Sequence, residues 1–271
     1  MRVTDVLVLA RTLGVDRLDA QLLLAHRLQR PRSWLLAHDD EPLAPAIEPQ
    51  LRADLAARAD GVPLAYLTGR REFHGLDFVV SPSVLVPRPE TEELVDWALA
   101  CIADRTAPRV ADLGTGSGAI AVSIAHQRPD ARVDAVDVDA RALAVAAANA
   151  ARLGVRLNAL QGSWWSALPG QCYELVVSNP PYVAEDDPHL DALRHEPRHA
   201  LVSGADGLGA LRAIVSGAQA HLEPGAWLLL EHGHDQASAV RALLQNAGLV
   251  DVHSRLDLSG HERCTGGRRT P

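Results

Sequence analysis

The sequence predicts an α/β fold, a mostly parallel sheet with helices on both faces, preceded by a small helical domain. Three observations carry that prediction. From about residue 109 onward, apolar strand-like runs alternate with helical stretches, the pattern of successive βαβ units. One of these units, Arg109 to Ile124, reads strand, glycine loop, helix. Residues 1–80 instead carry helical spacing broken by prolines, with one hairpin-like stretch at their end.

In the first region, Thr4 or Asp5 can cap a helix that runs to about Leu13 and stops at Gly14. Asp16 to Gln29 gives a second helix, broken by Pro31; Trp34-Leu35-Leu36 starts a short third segment. Ile47 to Ala59 reads as a fourth helix with Leu51 and Leu55 inward. His26 and His38 read as surface or packing residues, so no catalytic constellation is expected here. Arg71 to Val80 reads as a hairpin around Gly75 and holds both phenylalanines of the chain. The domain boundary is expected after it, giving domains 1–80 and 81–271. The loop Val86-Pro87-Arg88-Pro89-Glu90-Thr91-Glu92-Glu93 is stiffened by two prolines. Thr91 is placed to cap the helix that follows, to about Ala103; Arg88 and Glu90 read either as a solvated turn or as part of a rigid lip over a neighbouring active site.

Composition bounds the function. With 271 residues the chain can hold one large domain and a small one. Hydrophobic residues are 47% and charged residues 22%, ordinary for a globular protein. A formal net charge of −8 argues against gripping nucleic acid through its phosphates, which needs a basic excess. Cys101, Cys172 and Cys264 are widely spaced and contain no CxxC. That points to a reducing, cytoplasmic setting and away from a disulfide framework or a zinc site. Asp5 and Arg11 interrupt the N-terminal apolar residues, so a signal peptide is not expected. No run approaches the ~18 uninterrupted apolar residues of a spanning helix.

The chemistry is expected in the second region. Arg109 to Leu113 is a strand that runs into Gly114-Thr115-Gly116-Ser117-Gly118, and a helix starts at Ala119. Glycines let the backbone pass close to a ligand, and the helix start offers free N–H groups. Arg132 to Val136 is the next strand, ending at Asp137; an acid there can hold both hydroxyls of a ribose. The spacing is G-x-G-x-G, not the G-x-G-x-x-G of dinucleotide sites. In this context it resembles the loop of S-adenosylmethionine-dependent methyltransferases. A helix from Ala140 to Leu153 and a strand from Arg156 to Leu160 follow, then Trp164 and Trp165. An aromatic at that position can wall in a flat adenine; the other reading for either tryptophan is core packing.

Tyr173 to Val177 is a buried strand that ends in Ser178-Asn179-Pro180-Pro181-Tyr182. Two consecutive prolines cannot continue a strand, so a rigid turn forms at the edge of the sheet where ligands bind. Such a turn can offer carbonyl oxygens to a planar NH2 group and an aromatic face to stack on it. Residues 183–207 form a polar insertion with Asp186, Asp187, His189, His195 and Glu196. Their spacing matches no metal-ligand pattern, so a flexible active-site loop is expected and no metal. A helix from Leu208, a strand Ala226 to Glu231, a helix from Gln236 and two closing strands, Leu249 to Arg255 and Arg263 to Arg269, complete the chain.

These residues together resemble the HemK/PrmC family, the release factor glutamine methyltransferases. The match covers most of the chain. It runs through Tyr66-Leu67-Thr68-Gly69, Arg71-Glu72-Phe73, Pro87-Arg88-Pro89-Glu90-Thr91-Glu92 and Asp112 to Ala121. It continues through Asn179-Pro180-Pro181-Tyr182, Leu229-Leu230-Glu231-His232-Gly233 and Glu262-Arg263. Ser163 departs from it, since an acid before the tryptophan is usual in the family. The resemblance implies a Rossmann-like class I methyltransferase domain with a seven-stranded sheet, behind a helical domain that helps grip the substrate. It implies S-adenosyl-L-methionine as cofactor, held by Gly114, Thr115, Gly116, Ser117, Gly118, Asp137, Asn179 and Trp164, the last in preference to Trp165. The implied substrate is the glutamine of the GGQ motif in class 1 peptide-chain release factors, modified on its side-chain nitrogen in the cytoplasm by a monomer. Asn179 and Pro180 would accept its amide hydrogens, Tyr182 would pack on the amide plane, and Pro181 would keep the turn rigid. NPPY also occurs in DNA and rRNA amino-methyltransferases. A nucleic-acid adenine or guanine amino-methyltransferase, which flips its base out of a duplex, is therefore the alternative. A non-catalytic partner protein that kept the fold is the third reading.

Overall fold

The computed structural model describes all 271 residues, and they separate into two units, Met1–Arg70 and Arg71–Pro271. The first unit is helical: α1 (Val3–Thr12), α2 (Arg17–Leu28), α3 (Arg32–Ala37), α4 (Glu48–Ala59) and α5 (Leu64–Thr68). Its core is Val3, Val6, Leu23, Leu24, Leu51 and Leu55, all fully buried, so the apolar faces expected of these helices do meet. Arg27 and Asp54 tie α2 to α4 through a two-bond fork, Nε to Oδ2 at 2.5 Å and Nη2 to Oδ1 at 2.9 Å. Asp16 caps α2 by accepting from the Leu18 N–H. Asp5 lies inside α1, not at its start, and closes back on the Arg2 N–H at 2.7 Å.

The second unit runs β1 (Arg70–Phe73), β2 (Leu76–Val79), α6 (Glu92–Cys101), β3 (Arg109–Leu113), α7 (Ala119–Gln127), β4 (Arg132–Asp137) and α8 (Ala140–Leu153). It continues with β5 (Asn158–Gln161), β6 (Tyr173–Ser178), α9 (Gly209–His221), β7 (Leu222–Glu231), α10 (Ala237–Asn246), β8 (Val250–Leu256) and β9 (Glu262–Arg268). β1 and β2 pair as a hairpin. The others form one seven-stranded sheet in the order β5-β4-β3-β6-β7-β9-β8. The pairings from β5 through β7 are parallel; β9 is antiparallel to both of its neighbours. The chain builds outward from β3 through β4 to β5, then returns to the other side of β3 as β6. The carboxyl ends of β3, β4 and β6 therefore flank the switch point at which open α/β sheets bind ligands.

The division falls at residue 70, not at the expected 80, and the hairpin belongs with the sheet. The two phenylalanines are the reason. Phe73 and Phe78 are fully buried, meet edge to face with centroids 6.0 Å apart, and share a core with Leu94, Trp97 and Ile124. Asn149 of α8 adds a polar clasp: its Oδ1 accepts from the Val79 N–H at 2.8 Å and its Nδ2 donates to the Val79 carbonyl at 2.9 Å. Phe78→Ala should lower the stability of the second unit by about 3–5 kcal/mol, the usual range for emptying a buried aromatic site. Urea unfolding checks this; a loss below ~1 kcal/mol would place Phe78 outside the core.

Candidate active site

A cavity of about 170 Å³ opens at the carboxyl ends of β3, β4 and β6, against the roughly 10–15 Å³ that one water needs. Of the residues singled out in the sequence, Gly114, Thr115, Gly116, Ser117, Asp137, Trp164, Asn179 and Pro181 line it. Gly118, Pro180 and Tyr182 do not. Ser83, Val84, Leu85, Pro87 and Arg88 close one side: the proline loop forms the lip that its sequence suggests, and the segment before it, which the sequence patterns did not locate, adds to it.

The glycine loop is held by its neighbours more than by its own bonds. The N–H groups of Gly114 and Thr115 both donate to the Val136 carbonyl, at 2.8 and 2.9 Å, which pins the loop to β4. The Thr115 hydroxyl and the Ala121 N–H reach Asp112 Oδ2 at 2.7 and 3.2 Å beneath the loop. Asn149 donates to the Ser117 carbonyl at 2.9 Å, so the side chain that clasps the hairpin also fixes the loop. Gly118 serves packing: its φ is +80° and an added Cβ would lie 3.0 Å from the Ala146 Cβ of α8.

Asp137 ends β4 on the cavity wall. A carboxylate has about four acceptor positions. Two are used internally, by the Gly116 N–H at 2.9 Å on Oδ2 and the Asp139 N–H at 2.9 Å on Oδ1. The remaining capacity matches a vicinal diol. Trp164 supplies the flat wall; a Cβ on Gly114 would sit 3.3 Å from its ring. Trp165 turns the other way, donating from Nε1 to the Ile214 carbonyl at 2.9 Å and stacking on His221 with centroids 4.7 Å apart. One tryptophan thus faces the cavity and the other packs on α9. A nucleoside carrying an amino-acid arm fits these groups: diol to Asp137, base to Trp164, arm along the glycine loop.

The Asn179 turn meets groups that are remote in sequence. Asn179 Nδ2 donates to Thr91 Oγ1 at 3.1 Å. Thr91 was expected to cap α6; it occupies the cap position but its side chain makes no capping bond. Its hydroxyl oxygen instead accepts from Asn179, and Thr91 also favours the carboxylate form of Glu231 at the end of β7. The Tyr182 hydroxyl also points to Glu231, at a long 3.4 Å, and its ring packs on the apolar cluster under the sheet. Tyr182 therefore backs the turn, where stacking in the cavity had been expected. The insertion after the turn is anchored, not free. Glu196, almost fully buried, accepts from the Val86 N–H at 3.0 Å and pairs with Arg88. His199 and Ala200 thereby join the cavity wall. No group of three or more His, Cys, Asp or Glu side chains could hold a metal ion, and no helix is long and apolar enough to cross a membrane.

Known proteins resemble this chain. The family model of the methyltransferase small domain matches residues 96–251, and that of the PrmC N-terminal domain matches residues 7–69. The release factor glutamine methyltransferase of Bordetella pertussis is 55% identical over 257 residues, covering 94% of this chain and 95% of its own. That of Burkholderia pseudomallei is 54% identical over 269 residues, covering 96% and 94%. The chain belongs to the release factor glutamine methyltransferase family. Among solved structures, a T. thermophilus 16S rRNA N2 methyltransferase in complex with AdoMet and guanosine is similar in fold. Its TM-score is 0.56 at 18% identity, covering 74% of this chain and 49% of that one.

This member of the family buries two carboxyls under its site. Burial pushes Asp112 up to about 7, against the pull of its bonds from Thr115 and Ala121. Burial likewise pushes Glu231 up to about 7, with Thr91 and Arg263 opposing and Glu90 adding to the rise. Asp112 Oδ1 and Glu231 Oε2 have no hydrogen-bond partner. Each group binds its proton more tightly folded than unfolded, where carboxyls titrate near ~4. The stability this contributes is complete below about pH 4 and is lost as pH rises through about 7. Glu231→Gln cannot titrate, so its stability relative to the parent chain should rise between about pH 5 and about pH 8. Urea unfolding at both pH values tests this; a constant difference would mean that Glu231 titrates as an ordinary carboxyl.

Proposed function

We propose that this chain transfers a methyl group to the side-chain amide nitrogen of a glutamine, that of the GGQ motif of class 1 release factors, with S-adenosyl-L-methionine as donor. The observation that carries the reading is Asn179. It lines the same cavity as Asp137 and Trp164, and Thr91 takes its N–H, so its oxygen is the end open to a ligand N–H. S-adenosylmethionine would supply an electrophilic methyl group. Asp137 accepts the ribose hydroxyls, Trp164 covers the base, and Gly114 to Ser117 border the amino-acid arm. Gly118 supports the loop from behind by its contact with α8.

An amide nitrogen is a poor nucleophile because its lone pair is delocalised into the carbonyl. Asn179 Oδ1 and the Pro180 carbonyl accept its two hydrogens and hold its plane in the reactive orientation. Pro181 stiffens the turn and Tyr182 braces it from Glu231. Orientation supplies most of the acceleration. Asp137 is the one acid on the cavity wall and is engaged with backbone N–H groups, so no general base is assigned to the amide; the nitrogen gives up one proton to water after the methyl has moved. The protein acts in the cytoplasm as a monomer on its release factor, with no stable nucleic-acid complex and no metal.

Asn179→Ala should reduce transfer at least ~100-fold through lost positioning while cofactor affinity stays within a few-fold. Asp137→Ala should weaken cofactor binding about 10- to 100-fold, the loss of charge-assisted hydrogen bonds. Calorimetry with S-adenosylmethionine and transfer of a labelled methyl group separate the two effects. Label should enter a release factor and not RNA or DNA. Label in nucleic acid alone would overturn the substrate class, and full turnover by Asn179→Ala would overturn the role of the turn.

A further inference from the structure

Pro180 and Pro181 give the turn after β6 no backbone N–H groups of their own, and they fix φ while leaving ψ free. The turn therefore needs a hold at each end. The Ser178 hydroxyl holds the entry by donating to the Leu113 carbonyl at 2.5 Å. Gln236, the residue before α10, holds the exit. Its Nε2 donates to the Tyr182 carbonyl at 3.0 Å, and its Oε1 accepts from the Gly233 N–H at 2.9 Å. A backbone N–H only donates and a carbonyl only accepts, so both partners demand the same orientation of the amide. A flip would set N–H against N–H and oxygen against oxygen. Gly233 is itself fixed: its carbonyl accepts from the Gln236 N–H at 3.0 Å and from Nδ1 of the buried His232 at 2.8 Å. The insertion closes over the same bond. The Val183 N–H donates to the Leu201 carbonyl at 2.9 Å and the Ser203 N–H to the Val183 carbonyl at 3.0 Å. Gly207 then lies so close that an added Cβ would stand 2.3 Å from the Tyr182 carbonyl oxygen and 2.8 Å from Gln236 Nε2.

We propose that Gln236 is a positioning residue for the methyl transfer: it clamps the exit of the NPPY turn to the end of β7, and so fixes the backbone that carries Asn179 and the Pro180 carbonyl. This rests on the reading of that turn as the seat of the substrate amide. Gln236 does not line the cavity, so it acts through the turn and not on a ligand. Helix capping does not account for it, because it makes no side-chain capping bond to α10 and glutamine is not among the residues that cap helices well. The Tyr182 side chain is a weaker hold on the same residue, since its bond to Glu231 is a long 3.4 Å. A transfer that depends on orientation is sensitive to such a hold: a misplacement of about 1 Å can cost ~100-fold in rate. The cofactor side is anchored elsewhere, with Gly114 and Thr115 pinned to the Val136 carbonyl and Asp137 bonded to the Gly116 and Asp139 N–H groups. Loss of the clamp should therefore reach turnover and spare cofactor binding.

The test pairs a ligand-free readout with turnover. Tyrosine carbonyl carbons are labelled with 13C in the intact chain, which has three, at Tyr66, Tyr173 and Tyr182. The Tyr182 resonance is identified by its loss in Tyr182→Phe. In Gln236→Met, which fills the space and makes neither bond, that resonance should move upfield, as a carbonyl does on losing a donor, while those of Tyr66 and Tyr173 stay. kcat on a release factor should fall about tenfold, the effect of one lost hydrogen bond, with KM for the factor and affinity for S-adenosylmethionine unchanged. Gln236→Glu, read at about pH 8 where its carboxyl is ionised, keeps an acceptor for Gly233 and loses the donor to Tyr182. It should be as slow as the methionine variant. An unmoved Tyr182 signal in Gln236→Met, or kcat within about twofold of the parent, would overturn the proposal. So would parent-like turnover in Gln236→Glu, since the Gly233 bond alone would then suffice, or an equal loss of S-adenosylmethionine affinity, which would mark a general loosening of the unit. If the parent chain transferred no methyl to a release factor, the functional reading would fail, and the Tyr182 carbonyl signal would still decide the clamp.

Discussion

Pro180 and Pro181 have no N–H to lend to a sheet, so β6 stops at Ser178 and the chain must turn there. The rest of the site depends on that stop. The Ser178 hydroxyl donates to the Leu113 carbonyl at 2.5 Å, which joins the turn to the end of β3, where the glycine loop begins. The two loops therefore open into one cavity. Asn179 enters it on a backbone whose φ angles the prolines restrict, and the glycine loop borders it from β3. Asp137 enters from the next strand over. Strand order does the rest: β3 lies between β4 and β6, so the three ends that carry the chemistry are neighbours.

What holds this geometry comes from far along the chain. Asn149 reaches both the hairpin and the glycine loop. Glu196 ties the insertion to the proline loop. Thr91 backs the Asn179 turn directly and Glu231 does so through Tyr182. All four are almost fully buried polar residues at or behind the cavity. Removing one partner of such a bond leaves the other unsatisfied, which costs more than the bond itself contributes. The loops are thus fixed by a few high-stakes contacts, and of the buried carboxyls beneath them Asp112 and Glu231 sit at the edge of ionisation at neutral pH.

Short-range pattern made part of this legible. The strand, glycine loop and helix at Arg109 to Ile124, the acid at Asp137 and the NPPY turn are each contained within a few residues, and each lies where its local pattern puts it. The hairpin was legible as a hairpin, but its allegiance was not. Phe73 and Phe78 look like any buried aromatics until the partner core is known. Thr91 shows why local rules fail at a site. A threonine before a helix reads as a cap, yet its hydroxyl is taken by Asn179, 88 residues away in sequence. Glu231 carried a weaker signal, an acid at the end of an otherwise apolar strand. Tyr182 had a plausible stacking role from its neighbours alone; the burial of its ring and the pull of Glu231 turn it to the rear of the turn. Trp164 and Trp165 are adjacent and chemically equal, and only the positions of Gly114 and α9 separate them.

The central claim is that this cavity presents a glutamine amide nitrogen to a methyl donor. The direct measurement incubates the purified chain with S-adenosylmethionine and an unmethylated class 1 release factor, digests the factor and reads the GGQ peptide by tandem mass spectrometry. One added methyl on the glutamine side chain is the predicted result. A methyl on another residue, or none from a preparation that binds S-adenosylmethionine, would contradict it.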